Sequence, residues 1–268
     1  DLASDPLDQL AAYEGVLPLI VTNRAAWEGG EADGRDRYDA LSEAVDHPSV
    51  VAVDIELAAL TGTLPADGST DAATAQSRAS ALRSQAREAG VEVIASVHDF
   101  ESTPAVDELV DRLATAAAAG DVGKLATTAR DRGDALAMLR ATDRATAAGH
   151  RVATMCMGEP GRHTRAVAPV YGSVIGYAPV VAAEATAPGQ YPLDTLRRLV
   201  DDLRGAAEMG DYPEPARRNP SGTDAYTGTH AVLVATTAPP LAVMNAGGLC
   251  AFRTACAPNA IRAACALR

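Results

Sequence analysis

Along most of the chain, short apolar β-branched runs alternate with longer runs whose apolar residues recur at helical spacing. The apolar runs predict strands at Pro18–Thr22, Val50–Leu57, Val91–Val97, Val122–Thr127, Val152–Met157 and Ser173–Tyr177. The intervening period predicts helices over Leu7–Tyr13, Arg35–Val45, Thr74–Ala89, Pro104–Ala118, Arg130–Ala148, Arg162–Val167 and Pro192–Leu203. Thr103-Pro104 reads as an N-cap followed by proline at the first helical position, with Asp107 and Glu108 in the first turns. Gly90 and Gly149 stand where helix C-termini are expected.

Alternating βα units predict a parallel sheet with helical crossovers. A spacing of roughly 30 residues per unit fits a (β/α)8 TIM barrel or an open doubly wound sheet. No G-x-G-x-x-G or phosphate-loop sequence follows any of these strands, which disfavours the nucleotide-binding open sheets. About six βα units are visible. A closed barrel therefore needs two more strands, before Asp1 or after Leu203.

The rhythm stops near residue 205, and this divides the chain into a barrel domain, 1–204, and a divergent tail, 205–268. The tail has five basic and four acidic residues, whereas the rest is strongly acidic. Ala225–Phe252 carries no formal charge, but Pro239-Pro240 and Gly247-Gly248 would break a membrane-spanning helix there. Its apolar runs Ala231–Thr236 and Leu241–Asn245 are alternative strand candidates. A tail without regular structure is the plainer reading.

Charge narrows the partners. With 35 acidic and 23 basic residues the net charge is −12, which argues against nucleic acid and anionic membranes. All basic residues but one are Arg, and aromatics make up only 4%. Excess carboxylate with little lysine resembles proteins of salt-loving organisms, so the acidity reads as bulk solvation. Four Cys in no paired spacing indicate neither a disulfide framework nor a zinc site, and a reducing cytoplasmic setting is expected.

Lys124, the only lysine, lies in Val122-Gly123-Lys124-Leu125-Ala126, where alternation puts Val122, Lys124 and Ala126 on one face. In a barrel that face points inward. A buried lysine without a carboxylate partner loses its proton readily and can attack a carbonyl carbon. A strand lysine more often snorkels to water. In a chain that otherwise uses arginine, the nucleophile is favoured, because a guanidinium forms no imine.

His98 ends the preceding strand, one βα unit before Lys124, and is the histidine best placed for proton transfer. The five histidines show no metal-ligand spacing, so no metal is expected. Arg24 and Arg165 follow strand ends, where a guanidinium can hold a substrate carboxylate, although any single arginine is more often a solvated charge. Taken alone, Met155 and Met157 are core filler, and Ala187-Pro188-Gly189-Gln190 is a turn before a helix.

In order, these segments resemble the type I 3-dehydroquinate dehydratases. Thr22-Asn23-Arg24 with Glu28-Gly29-Gly30 is similar to the family's arginine and E-G-G loop, and Val53-Asp54-Ile55-Glu56-Leu57 to its D-x-E-L strand. Ser96-Val97-His98-Asp99-Phe100 with Thr103-Pro104 resembles the catalytic-histidine segment, and Val122–Ala126 the Schiff-base strand. Met155-Cys156-Met157-Gly158, Arg165, Gly172-Ser173 and Ala187–Gln190 complete the resemblance.

The resemblance implies a (β/α)8 lyase that needs no cofactor and converts 3-dehydroquinate to 3-dehydroshikimate in the shikimate pathway. On this basis Lys124 forms the imine, His98 moves protons and Glu28 orients His98. Arg165 pairs with the substrate carboxylate, Arg24, Thr186 and Gln190 bind its oxygens, and Met155 and Met157 pack on its ring. It also allows a homodimer. Thr186 stands where the family usually has Ser. The family's first two strands, with their E-x-R sequence, are expected ahead of Asp1. A chain lacking them is expected to have open sheet edges, low stability and weak or no activity unless tail strands or a partner fill the gap. Another imine-forming barrel of the class I aldolase type, and an inactive remnant or scaffold, are the alternatives.

Overall fold

The computed structural model describes residues 18–30, 36–64, 71–179, 185 and 187–205, with the backbone of four segments at 231–237, 244–245, 248–249 and 261–267. The expected helix Leu7–Tyr13 and Thr186 lie outside the described residues.

Strands β1 (Leu19–Thr22), β2 (Val50–Glu56), β3 (Glu92–Asp99), β4 (Val122–Thr128) and β5 (Val152–Met157) pair in parallel, each with the next. A short sixth strand, β6 (Gly176–Ala178), follows. Helices α1 (Asp36–Val45), α2 (Leu57–Thr61), α3 (Ala72–Glu88), α4 (Val106–Ala119), α5 (Arg132–Ala147), α6 (Thr164–Val167) and α7 (Leu193–Gly205) connect or follow them. The βα alternation read from sequence is thus the observed order, with α2 added directly after β2.

Alternation along each strand separates outward from inward apolar residues. Outward Leu19, Val21, Val53, Ile55, Val93 and Ala95 pack with buried residues of α1 to α3. Leu109 and Leu113, one turn apart on α4, are fully buried, and burying each stabilises the fold by about 2 kcal/mol. Inward Ile20, Ala52, Ile94, Val122, Ala126, Ala153, Met155, Ile175 and Tyr177 form a separate cluster, which fills the interior of the sheet. Asp71 and Asp131 cap α3 and α5 by accepting from the backbone N–H groups of Thr74 and Asp134 at 2.9 and 3.1 Å.

The expected cap at Thr103 is not formed. Helix α4 begins after Ala105, and the Thr103 hydroxyl donates to the Thr128 carbonyl at 2.9 Å. Gly90 and Gly149 do end helices in the left-handed region, with φ of 75° and 86°.

The remaining strands are β7 (Ala231–Thr237), β8 (Met244–Asn245), β9 (Gly248–Leu249) and β10 (Ile261–Leu267). β8 and β9 form a separate two-stranded ribbon. β7 runs parallel to β1, and β10 lies antiparallel between β7 and β6. At the other end Val174 donates its N–H to the Val152 carbonyl at 2.8 Å, with Val152 bridged to Ser173. This backbone pairing departs from an all-parallel sheet and occupies the free edges of β1 and β6.

Candidate active site

Period-2 geometry places Asp54 and Glu56 of β2, Ser96 and His98 of β3, and Lys124 of β4 on the inner face. Register aligns Asp54 with Ile94 and Ser96 with Lys124. Lys124 is 6% exposed, and its Nζ donates to Asp54 Oδ2 at 2.9 Å. The expectation of a lysine without a carboxylate partner is therefore corrected. Burial still lowers the Lys124 pKa, and the Arg24 charge adds to that shift, against the opposing pull of Asp54.

Arg24, just past β1, sits at the centre of the charge network. Its guanidinium donates to Asp54 Oδ1 at 2.7 Å and to Ser96 Oγ at 2.8 Å, and lies 3.0 Å from Glu56 Oε1. Ser96 donates to the same Asp54 oxygen at 2.6 Å. Burial alone would raise the Asp54 carboxyl, but Arg24 and Lys124 overcome it and hold it far below the usual carboxylate range. Glu56 completes the chain. It accepts from Arg37 Nη2 at 2.7 Å and from the Ala25 N–H at 2.8 Å.

His98 Nδ1 lies 2.8 Å from Glu28 Oε2. Glu28 comes from the 3-10 turn Ala26–Glu28, which ends at Gly29 in the left-handed conformation, φ 81°. The turn needs glycine for this torsion; a Cβ would also meet the far end of the exposed Phe100 ring at 2.5 Å, a contact the ring can relieve by moving. Burial raises Glu28 to about 8, only partly offset by Arg24. Burial, reinforced by Arg24 and Lys124, lowers His98 well below an ordinary imidazole. At neutral pH the imidazole is thus uncharged, and it becomes a base at Nε2 once the Glu28–His98 pair gives up the proton that Glu28 holds.

Arg165 of α6 is 3% exposed. It donates to the Pro188 carbonyl at 3.2 Å and approaches Met155 Sδ at 3.6 Å, while its Nε has no hydrogen-bond partner among the described residues. Among the described residues no carboxylate pairs with it, and burial pushes its pKa down to about 10. Met155 and Met157 are buried at 5% and 3%. Gln190 follows Gly189, whose φ is 79°.

The structure thus joins Lys124, His98, Glu28 and Arg24 in one connected site, with Met155 linking Arg165 to the same interior cluster. Sequence reasoning gave no separate role to Asp54, Ser96, Glu56, Arg37 or Tyr177. The available signal was Val53-Asp54-Ile55-Glu56, two carboxylates two residues apart inside a buried strand. Among the described residues no group of His, Cys, Asp and Glu could hold a metal ion, and no helix is long and apolar enough to cross a membrane.

Fold and site together define an α/β-barrel protein with an amine and an imidazole–carboxylate pair in its interior. The model of the family described as type I 3-dehydroquinase matches residues 4–206. The chain is 56% identical over 208 residues to the 3-dehydroquinate dehydratase of Haloarcula marismortui, covering 77% of this chain and 86% of that protein. To its counterpart in Halobacterium salinarum it is 52% identical over 205 residues, covering 76% and 86%. The crystal structure of 3-dehydroquinate dehydratase from Geobacillus kaustophilus superposes with a TM-score of 0.63 at 26% identity, covering 76% of this chain and 77% of that one. The chain belongs to the type I 3-dehydroquinase family.

Proposed function

We propose that this protein dehydrates 3-dehydroquinate to 3-dehydroshikimate through an imine on Lys124. The observation that carries the reading is the placement of Lys124 and His98 on the inner face of adjacent strands, each held by its own carboxylate, Asp54 and Glu28. The names of the relatives and the type I enzyme from Clostridium difficile, solved with covalent modified comenic acid, support it.

The uncharged Lys124 amine adds to the C3 ketone, and loss of one water gives the imine, which protonation makes an electron sink. His98 removes a C2 proton, and the C–H electrons move toward the iminium nitrogen as an enamine. Those electrons then return to form the C1–C2 double bond as the C1–O bond breaks, and the hydroxyl leaves as water with the proton held by His98. Hydrolysis restores the amine and the C3 ketone, so one water is lost overall. Arg165, buried without an anionic partner among the described residues, pairs with the substrate carboxylate. Arg24, already engaged by Asp54, Ser96 and Glu56, sets the field of the site, and in this reading Arg24, Thr186 and Gln190 bind substrate oxygens. Met155 and Met157 pack on the ring. Residues 1–204 form the catalytic unit in this reading, with a cytoplasmic setting and a homodimer as its cellular form.

Borohydride added to a mixture of protein and 3-dehydroquinate should leave a covalent adduct on Lys124 by peptide mass spectrometry, and the product enoate should absorb in the ultraviolet. Lys124→Ala should abolish the adduct and reduce turnover at least about 10³-fold. Absence of an adduct in the unmodified protein overturns the reading.

A further inference from the structure

Tyr177 of β6 points into the same interior. Its ring centroid lies 4.6 Å from Lys124 Nζ, and the residue is 7% exposed. The ring face covers the amine, where it favours a cation, the protonated imine included. Its hydroxyl is buried and has no hydrogen-bond partner among the described residues. A tyrosine at an interior position usually finds a partner for its O–H, and phenylalanine would fill the same space without that penalty. The hydroxyl is therefore the atom that needs explaining.

We propose that Tyr177 is a substrate-specificity residue whose hydroxyl hydrogen-bonds one of the ring hydroxyls that the dehydration retains, on C4 or C5 of the cyclic ketone. The inference rests on the imine reading above. Once Nζ is bonded to C3, the carbocycle lies beside the amine that the Tyr177 ring covers, and the neighbouring C4 and C5 substituents come within reach of that side chain. Burial and the Asp54 charge keep the phenol protonated well above its ordinary range, so it can both donate to and accept from a neutral hydroxyl. The other polar groups near Nζ are committed. Asp54 and Ser96 are bonded to each other and to Arg24, which leaves Tyr177 as an unspent donor on this side of the amine. An analogue without the matching hydroxyl would leave the phenol buried and unpaired again, which is how such a contact discriminates.

Tyr177→Phe keeps the ring face and removes only the hydroxyl. Wild type and variant are compared by borohydride trapping with 3-dehydroquinate, then by kcat/KM on that substrate and on its 4-deoxy and 5-deoxy analogues. Both proteins should trap. The variant should lose about tenfold in kcat/KM on 3-dehydroquinate, the loss of one hydrogen bond, yet equal wild type on one of the two deoxy analogues. Equal values for both proteins on 3-dehydroquinate overturn the proposal. So does an equal loss on all three substrates, which marks a packing role. If wild type itself fails to trap, the imine reading fails and takes this inference with it.

Discussion

Lys124 donates to Asp54 at 2.9 Å, and the other oxygen of Asp54 is held by Arg24 at 2.7 Å and by Ser96 at 2.6 Å. One carboxylate therefore faces two cations, and the arginine, permanently charged, has the stronger claim on it. This leaves the lysine with a positioned nitrogen and a weakened hold on its proton. A nucleophilic amine requires both properties at once.

Replacing Asp54 with Asn should destabilise the protein by about 3–5 kcal/mol at neutral pH, because Lys124 and Arg24 would remain buried without their shared anion. The Asp54 carboxyl is held below its ordinary value of 3.8, so its contribution is fully present above that pH and is lost as pH falls through the folded value. Denaturant unfolding should show a gap between wild type and D54N at pH 7 that narrows in acid. A gap that widens in acid would contradict the network.

His98→Ala separates capture from chemistry. The amine and its partner Asp54 lie on other strands, so borohydride should still trap substrate on Lys124. Turnover should fall about 10²–10⁴-fold, the usual contribution of a positioned acid–base group. Retention of full turnover would remove His98 from the proton transfers.

Glu28 predicts two pH effects. Folded, it keeps its proton up to about 8, whereas the ordinary carboxyl releases it near 4.5. The folded state thus binds the extra proton between those values, and its stability falls as pH rises through that window. Glu28→Gln should flatten this decline in thermal melts from pH 5 to 9. For catalysis, proton loss from the Glu28–His98 pair lets the carboxylate accept from Nδ1–H and frees Nε2 as the base. The kcat/KM of wild type should rise with pH to a plateau, and the glutamine variant should lack that limb.

Gly123→Ala tests how the lysine strand seats. A Cβ there would lie 2.7 Å from the Ala117 backbone nitrogen and 2.9 Å from the Leu113 carbonyl oxygen, and neither can rotate away. Strand and helix α4 must separate, which should cost about 1–3 kcal/mol and displace Lys124. Unchanged unfolding in G123A would show that the contact is softer than its geometry.

The order of strands and helices was legible in the sequence because it depends on local periodicity. Alternation in Val122–Ala126 put Lys124 inward before any partner was known, and the same rule placed His98. The lone lysine among arginines and the ordered motifs pointed to the family. Other features were set by register between strands far apart in the chain. Asp54 and Lys124 are 70 residues apart, as are Glu28 and His98. Their pairing exists only once β1, β2, β3 and β4 align as they do and the turn after β1 folds against β3. The burial that shifts their proton affinities, the absorption of Arg24 into the charge network and the unpartnered hydroxyl of Tyr177 arise in the same way. Periodicity is carried by neighbours along the chain, whereas the electrostatics of the interior belong to groups that only the folded sheet brings together.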